Sequence, residues 1–332
     1  MAIVDFETTN KLPLKVCNTP IMIDFWVSGT CNMRCSYCLH GLSNTDSLRK
    51  GIVQGQLSWD NFLRVADGMS EFDKPIMGAS FCGIGEPLTH PLLPQMISHL
   101  KQNRLVSIVE LTTNALLLTE ERATELIDAG VDYLSVSIQG VNEEAYKRTC
   151  GVPFDPHVIA QRLEWYKEHR RPGTLLVVRT LDIALHGEED EREFHQIFDP
   201  VADQTFIANA VKLYKGMDYS ELIPVEKDQF GRGARVYAPA CPLVFSTLHI
   251  RPDGDIAICP LPVCPAILGN VSTVTLREAW ESKARYEVMY SHACERREEY
   301  DACDGCTQPD MLCPGIGPSP SLKYVIRSRM HM

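Results

Sequence analysis

The sequence predicts an α/β protein: parallel βαβ units in an open sheet or barrel from residue 21 to about 215, then a smaller cysteine-rich region from about 236. Three observations carry this. Apolar runs of strand length alternate with amphipathic helical stretches through the first region, the pattern of a parallel sheet with crossover helices. Unusual residues gather at the ends of those strands, where such folds keep their sites. The cysteines, 13 in all, mostly fall in two groups along the chain.

The elements follow in order. "IMIDFWV" (21–27) is a strand that runs straight into a cysteine loop. "SWDNFLRVADGMSEF" (58–72) has Trp59, Phe62, Leu63 and Ala66 at helical spacing. "MGASFCGIGEP" (77–87) is a strand and glycine turn, and "PLLPQMISHLKQ" a helix. "VSIVELTTN" (106–114) is a strand, and "TEERATELIDAG" (119–130) a helix with a Thr cap and a terminal Gly. "VDYLSVSIQG" (131–140) is a strand followed by the helix "NEEAYKRTC". A helix over 156–170, the strand "TLLVVRTLDI" (174–183), and the segments 191–202 and 204–214 complete the series. In the second region, "STLHIRPDGDIAIC" (246–259) is two short β runs around Pro252-Asp253-Gly254, a hairpin signal. "TLREAWESKARYEVM" (275–289) reads as one amphipathic helix, and the tail after 316 as an extension over the surface.

The length of 332 residues suits two domains, or one large barrel with an appendage. The expected divisions are an N-terminal extension (1–20), the βαβ region (21–215), the cysteine-rich region (236–315) and the tail (316–332). No apolar run reaches the ~18–20 residues of a membrane span and no signal peptide opens the chain, so a cytoplasmic location is the expectation and a membrane partner is not. The net charge of −11 and the acids that interrupt "EHRRPG" (168–173) and "CERREEY" (294–300) argue against a nucleic-acid partner. Disulfides do not persist in the cytoplasm. Clustered cysteines there point to metal or iron–sulfur ligation. The scattered Cys17, Cys82 and Cys150 are expected to be small buried hydrophobes.

"CNMRCSYCLHG" (31–41) sets Cys31, Cys35 and Cys38 just after the first strand. Structural zinc closes its tetrahedron with four ligands, and no fourth Cys is near; His40 follows too closely and reads as a cap on the loop. A cubane [4Fe–4S] cluster held by three thiolates keeps one iron open for a substrate or cofactor. This C-x3-C-x2-C loop, in this position, resembles the radical S-adenosylmethionine (SAM) superfamily. The resemblance implies a partial (β/α)6 TIM-like barrel in which Cys31, Cys35 and Cys38 hold a [4Fe–4S] cluster that binds SAM. It puts Tyr37, the aromatic residue before the last cysteine, near the adenine. "GIGEP" supplies Gly83, Gly85 and Glu86 as a variant of the family's Gly-Gly-Glu motif, which contacts the methionine amino group. "LTTN" (111–114) and "SVSIQG" (135–140) resemble the strand ends that touch SAM, with Thr113, Asn114, Ser137 and Gln139 as candidates.

The second group continues the resemblance. Cys241, Gly254 and Cys259 fit the C-x(9–15)-G-x4-C opening of the SPASM and twitch auxiliary-cluster domains, and "ILGNVSTVTLREAWES" resembles their linker. Cys303 and Cys306 follow, but the cysteines after them depart from the full SPASM pattern. Four ligands, Cys241, Cys259, Cys303 and Cys306, would close one auxiliary [4Fe–4S] cluster in a small α+β domain. That is the twitch arrangement of the aminocyclitol dehydrogenase of butirosin (antibiotic) biosynthesis. Zinc at Cys303-x2-Cys306 is the alternative, and Cys264, Cys294 and Cys313 are expected to be packed or at the surface unless one of them serves the chemistry.

The implied chemistry begins with one electron passed to SAM, which yields a 5′-deoxyadenosyl radical that abstracts hydrogen from a C–H bond. The expected reaction is oxidation of a secondary alcohol to a ketone on a small polyhydroxylated substrate, an aminocyclitol, amino sugar or aminoglycoside, with the auxiliary cluster taking an electron. Arg179, in "VVRT", is a candidate base or substrate contact. Epimerisation is the second expectation, with Cys313 or Cys264 returning hydrogen. Modification of a ribosomal peptide is a third; the roughly twenty residues before the first strand are too few for a peptide-binding domain. Flavodoxin or ferredoxin is the electron donor expected by analogy. The reading from another class is a non-catalytic iron–sulfur electron carrier or scaffold, which would have no use for Gly83, Gly85 and Glu86.

Overall fold

The computed structural model describes residues 14–330 apart from 44, 45, 47–50, 224, 226 and 232. Residues 1–13 of the expected extension and the last two of the tail lie outside the described residues. The first region alternates as its periodicity demands: β1 (Met22–Phe25), α1 (Trp59–Met69), β2 (Ile76–Phe81), α2 (Leu93–Gln102), β3 (Val106–Thr113), α3 (Glu120–Ala129), β4 (Tyr133–Ile138), α4 (Glu143–Cys150), α5 (Pro156–His169), β5 (Leu175–Leu181), α6 (Glu188–Phe198) and β6 (Gln204–Ala208). Side-chain caps start several helices: Ser58, Thr119, Asn142 and Asp155 each accept a first-turn amide. Gly130 ends α3 in the left-handed conformation, φ 102°.

The second region adds α7 (Leu243–Ser246), β7 (Thr247–Ile250), β8 (Asp255–Ala257), β9 (Ile267–Asn270), α8 (Leu276–Trp280), α9 (Lys283–Ala293), α10 (Gln308–Leu312) and α11 (Leu322–Arg329). Its strands do not form a sheet of their own. One nine-stranded sheet runs β6-β5-β4-β3-β2-β1-β7-β8-β9. β7 pairs in parallel with β1, and β8 and β9 add antiparallel strands at that end. The described architecture is a largely parallel partial barrel with a cysteine-rich α+β continuation.

Three details differ from expectation. The helix over 275–289 breaks in two. Glu281 leaves the helical region at φ −94°, ψ 6°, and Ser282 caps a second helix by accepting the Arg285 amide. Arg285 folds back, fully buried, with its guanidinium 3.3 Å from the Trp280 ring centroid and bonded to the Trp280 and Phe245 carbonyls. "ILGN" is the strand β9 and not only a turn. The tail forms α11, whose Leu322 and Ile326 are buried and whose Arg329 donates to Asn18 at 2.9 Å.

Register aligns the side chains that matter. Asp24 of β1 lies opposite Ser80 of β2 and His249 of β7. Ser80 lies opposite Glu110 of β3, and Glu110 opposite Tyr133 of β4. Ser137 of β4 faces Arg179 of β5. A period of two therefore brings one polar layer to one face of an otherwise apolar sheet.

Candidate active site and auxiliary pocket

The cysteine loop leaves β1 and is pinned from two sides. The Arg34 and Ser36 amides donate to the Cys150 and Thr149 carbonyls at the end of α4. Buried His40 meets the Ile84 carbonyl through Nε2 and so ties the loop to the glycine turn after β2. That turn needs its glycines. Gly83 has φ 128°, and a Cβ there would stand 1.7 Å from the Trp26 ring. A Cβ on Gly85 would stand 2.0 Å from the Ser28 carbonyl oxygen.

A cavity of about 620 Å³ opens over these elements at the C-terminal ends of the strands. Cys31, Cys35 and Cys38 line it, as do Tyr37, Gly83, Gly85, Glu86, Thr113, Asn114, Ser137, Gln139 and Arg179. All of these sequence candidates meet in one place. Their hydrogen bonds sort them. The Glu86 carboxylate accepts from Thr113 Oγ1 at 2.6 Å, the Asn114 amide at 2.8 Å and the Leu88 amide at 3.0 Å. Glu86 and Thr113 therefore brace the turn, and the motif faces the cavity largely with its backbone. Tyr37 donates its hydroxyl to Gln139 Oε1 at 2.5 Å, and Asn114 donates to Asn32 Oδ1 at 2.7 Å. Arg179 points inward and donates Nε to Ser137 Oγ at 3.4 Å. A guanidinium does not deprotonate in a protein, which rules out the base reading of Arg179; its side chain lines the cavity as a fixed cation.

Asp24, Glu110, Tyr133 and Tyr214 also line the cavity without having stood out in the sequence, and so does Cys82. Burial and the neighbouring Asp24 push the Glu110 carboxyl up to about 7. Asp24 itself sits 2.8 Å from Nδ1 of buried His249. Cys82, expected to be an inert hydrophobe, faces the cavity beside Ser80 Oγ at 3.4 Å. Burial, with Asp24 next, raises its thiol to about 12. Burial first, and the nearby Cys38 next, push the Tyr214 phenol well above its ordinary range. The signal for Asp24 and Glu110 was present: each is the lone acid in an apolar strand.

A second, smaller pocket is lined by Cys241, Cys259, Cys303 and Cys306 together. Leu243 and Gln308 line both pockets, so one thin wall separates them. Arg297 organises the loop, donating Nη1 to the Cys303 carbonyl at 2.8 Å and the Cys306 carbonyl at 3.0 Å. Asp310 accepts the Ala238 amide at 2.8 Å and lies 3.5 Å from Arg297. Cys264, Cys294 and Cys313 line neither pocket. Cys313 was read as catalytic, and the structure corrects this: α10 turns its buried Sγ toward the Ala240 and Pro309 carbonyls, each at 3.4 Å. Cys264 likewise donates to the Ala266 carbonyl at 3.4 Å, away from the cavity.

The thiols fit iron–sulfur groups. Burial, then the other thiols, pushes Cys241 well above the ordinary thiol range, and burial first raises Cys31 to about 11 and Cys303 to about 12. Sulfurs that repel one another as thiolates are relieved by a cationic core between them. Among the described residues, no three His, Cys, Asp or Glu side chains converge closely enough to hold a single ion. A cubane spreads its thiolates around four irons, whereas zinc draws them to a point.

Fold and sites together define an iron–sulfur enzyme whose chemistry sits at the ends of parallel strands. The chain belongs to the radical SAM superfamily, whose profile matches residues 27–200, and an iron–sulfur cluster-binding SPASM domain matches residues 241–307. The superfamily domain binds a [4Fe–4S] cluster and SAM, and the SPASM domain binds auxiliary iron–sulfur clusters. The chain is 33% identical over 140 residues to the AdoMet-dependent heme synthase of Methanosarcina barkeri, 42% of this chain and 37% of that protein. It is 29% identical over 160 residues to the PqqA peptide cyclase of Bradyrhizobium diazoefficiens, 48% of this chain and 39% of that one. These matches span less than two-fifths of each relative's length. The crystal structure of BtrN in complex with AdoMet and 2-DOIA superposes with a TM-score of 0.56 at 15% identity, over 87% of this chain and 95% of that one. No helix among the described residues is long and apolar enough to cross a membrane.

Proposed function

We propose that this enzyme oxidises a secondary alcohol on a small polyhydroxylated, amino-bearing substrate such as an aminocyclitol. The observation that carries the reading is the shared wall: the four-thiol pocket abuts the cavity that holds the three-thiol loop, through Leu243 and Gln308. An electron leaving a substrate in the cavity has a short path to the auxiliary site. The groups assigned to Cys31, Cys35 and Cys38, with SAM, supply hydrogen-atom abstraction when bound, and the group assigned to Cys241, Cys259, Cys303 and Cys306 supplies an acceptor for one electron. The chain does the rest. Tyr37, Gly83, Gly85, Asn114, Ser137 and Gln139 face SAM. Arg179, Tyr133 and Asp24 orient substrate hydroxyl and amino groups. Glu110 takes the hydroxyl proton, because a carboxyl poised near neutral pH suits a general base. The cavity's volume lies in the range for small ligands. A cytoplasmic location and a flavodoxin- or ferredoxin-like electron donor complete the reading.

A second reading has its own observation. Cys82 presents a protonated thiol to the cavity. By giving its hydrogen atom to a substrate radical from the opposite face, it would complete an epimerisation. The resulting thiyl would then regain one electron, from a one-electron donor through the auxiliary site, and one proton from solvent.

One experiment tests both readings. Anaerobically reconstituted protein is expected to hold about eight irons per chain, falling to about four in Cys31→Ala/Cys35→Ala/Cys38→Ala. The loaded wild type is then turned over with SAM and a panel of aminocyclitols in D2O. A ketone product supports the dehydrogenase. A redox-neutral product with one carbon-bound deuterium, lost in Cys82→Ala, supports the epimerase. About four irons in the wild type and none in the variant would sink the auxiliary assignment and the dehydrogenase with it.

A further inference from the structure

His292, on α9, is fully buried and lines the four-thiol pocket. Its Nδ1 accepts the backbone N–H of Cys241 at 3.0 Å. A ring nitrogen that accepts a hydrogen bond carries no proton, so the proton of the neutral imidazole sits on Nε2. That Nε2–H is buried as well and finds no partner among the described residues. A buried donor without an acceptor destabilises the fold that holds it. The pocket resolves this if it contains sulfur acceptors. We infer that His292 donates Nε2–H to a sulfur of the auxiliary cluster, an inorganic sulfide or a ligand thiolate, and thereby raises the cluster's reduction potential.

The inference rests on the proposed assignment of Cys241, Cys259, Cys303 and Cys306 as ligands. Its physics is that a hydrogen bond to a cluster sulfur stabilises the reduced form, which carries one more negative charge, more than the oxidised form. That is the direction an electron acceptor needs. The ring is also fixed in place, because its other nitrogen is anchored to the amide of Cys241, a ligand residue. Arg297 lines the same pocket with a second buried, unpartnered donor, Nε. Its guanidinium also holds the Cys303 and Cys306 carbonyls, so replacing it would disturb the loop. His292 is the cleaner probe.

The test uses the full chain carrying Cys31→Ala/Cys35→Ala/Cys38→Ala, so that the auxiliary cluster alone gives a signal. Protein grown with 15N-histidine is reconstituted, reduced and studied by pulsed EPR. A 15N coupling and a proton coupling that disappears in D2O are expected, and both vanish in His292→Leu. Redox titration is expected to give a more negative potential for His292→Leu and to recover part of the shift in His292→Gln, which keeps an N–H donor. A cluster that shows neither coupling overturns the inference and leaves the ligand assignment standing. Protein that retains no cluster overturns the assignment and the inference together. If His292→Leu does not fold, the spectra of the labelled His292 protein still decide.

Discussion

Glu110 is the side chain on which the proposed proton transfer turns. It lies across the strands from Ser80 and Tyr133, and burial with Asp24 holds its carboxyl near 7. Tyr133 and the Cys82 thiol are the other titrating groups that face it. As a base it works only when ionised, so kcat/KM is expected to rise as pH passes upward through about 7. Glu110→Gln should lose about a hundred- to ten-thousand-fold in kcat and lose that acidic limb. The same shift has a stability consequence of opposite sense. Below the ordinary carboxylate range both states are protonated; between there and about 7 the folded state binds the extra proton, so stability falls as pH rises through that window. Glu110→Gln should therefore flatten this decline in thermal melts. A variant with the wild-type pH profile would remove Glu110 from the reaction. The sequence announced the cysteines plainly, because ligand spacing is local. Glu110 showed only as a lone acid in an apolar strand and the place of Cys82 in the cavity not at all, because which face of a strand turns inward depends on neighbours far along the chain.

At the scale of elements, the crossover helices and parallel strands were legible from period and caps, since Thr119 and Gly130 bound α3 where the sequence places them. The helix over 275–289 was not, because its apolar spacing continues across the break. What divides it is the Ser282 cap together with the buried Arg285, whose guanidinium needs the carbonyls that a continuous helix would place elsewhere. β9 was missed because four residues pair only once β8 is there to receive them. Ser282→Ala should cost about 1 kcal/mol in chemical denaturation, the usual loss for an N-cap. An unchanged midpoint would mean that the Arg285–Trp280 stack alone sets the break.

For the whole molecule, the continuous sheet makes the cysteine-rich region part of the barrel's own structure. β1 lies between β2 and β7, and Ile23 and Phe25, fully buried, depend on both neighbours for cover. Pro242, Leu243, Thr247, Pro260 and Leu261 also wall the main cavity. A chain ending after residue 215 would leave β1 as an unpaired apolar edge, a template for aggregation. It would also open the cavity to water on that side, so the three-thiol loop would lose the enclosure that the proposed radical chemistry needs. The truncated protein is expected to be insoluble, or to bind its first cluster only transiently, by size-exclusion chromatography and iron analysis. Recovery of a monodisperse fragment with about four stable irons would show that the barrel closes without its continuation. The second region would then be an electron-transfer module added to a self-sufficient fold, and the shared wall of Leu243 and Gln308 would be a docking contact and not a structural joint.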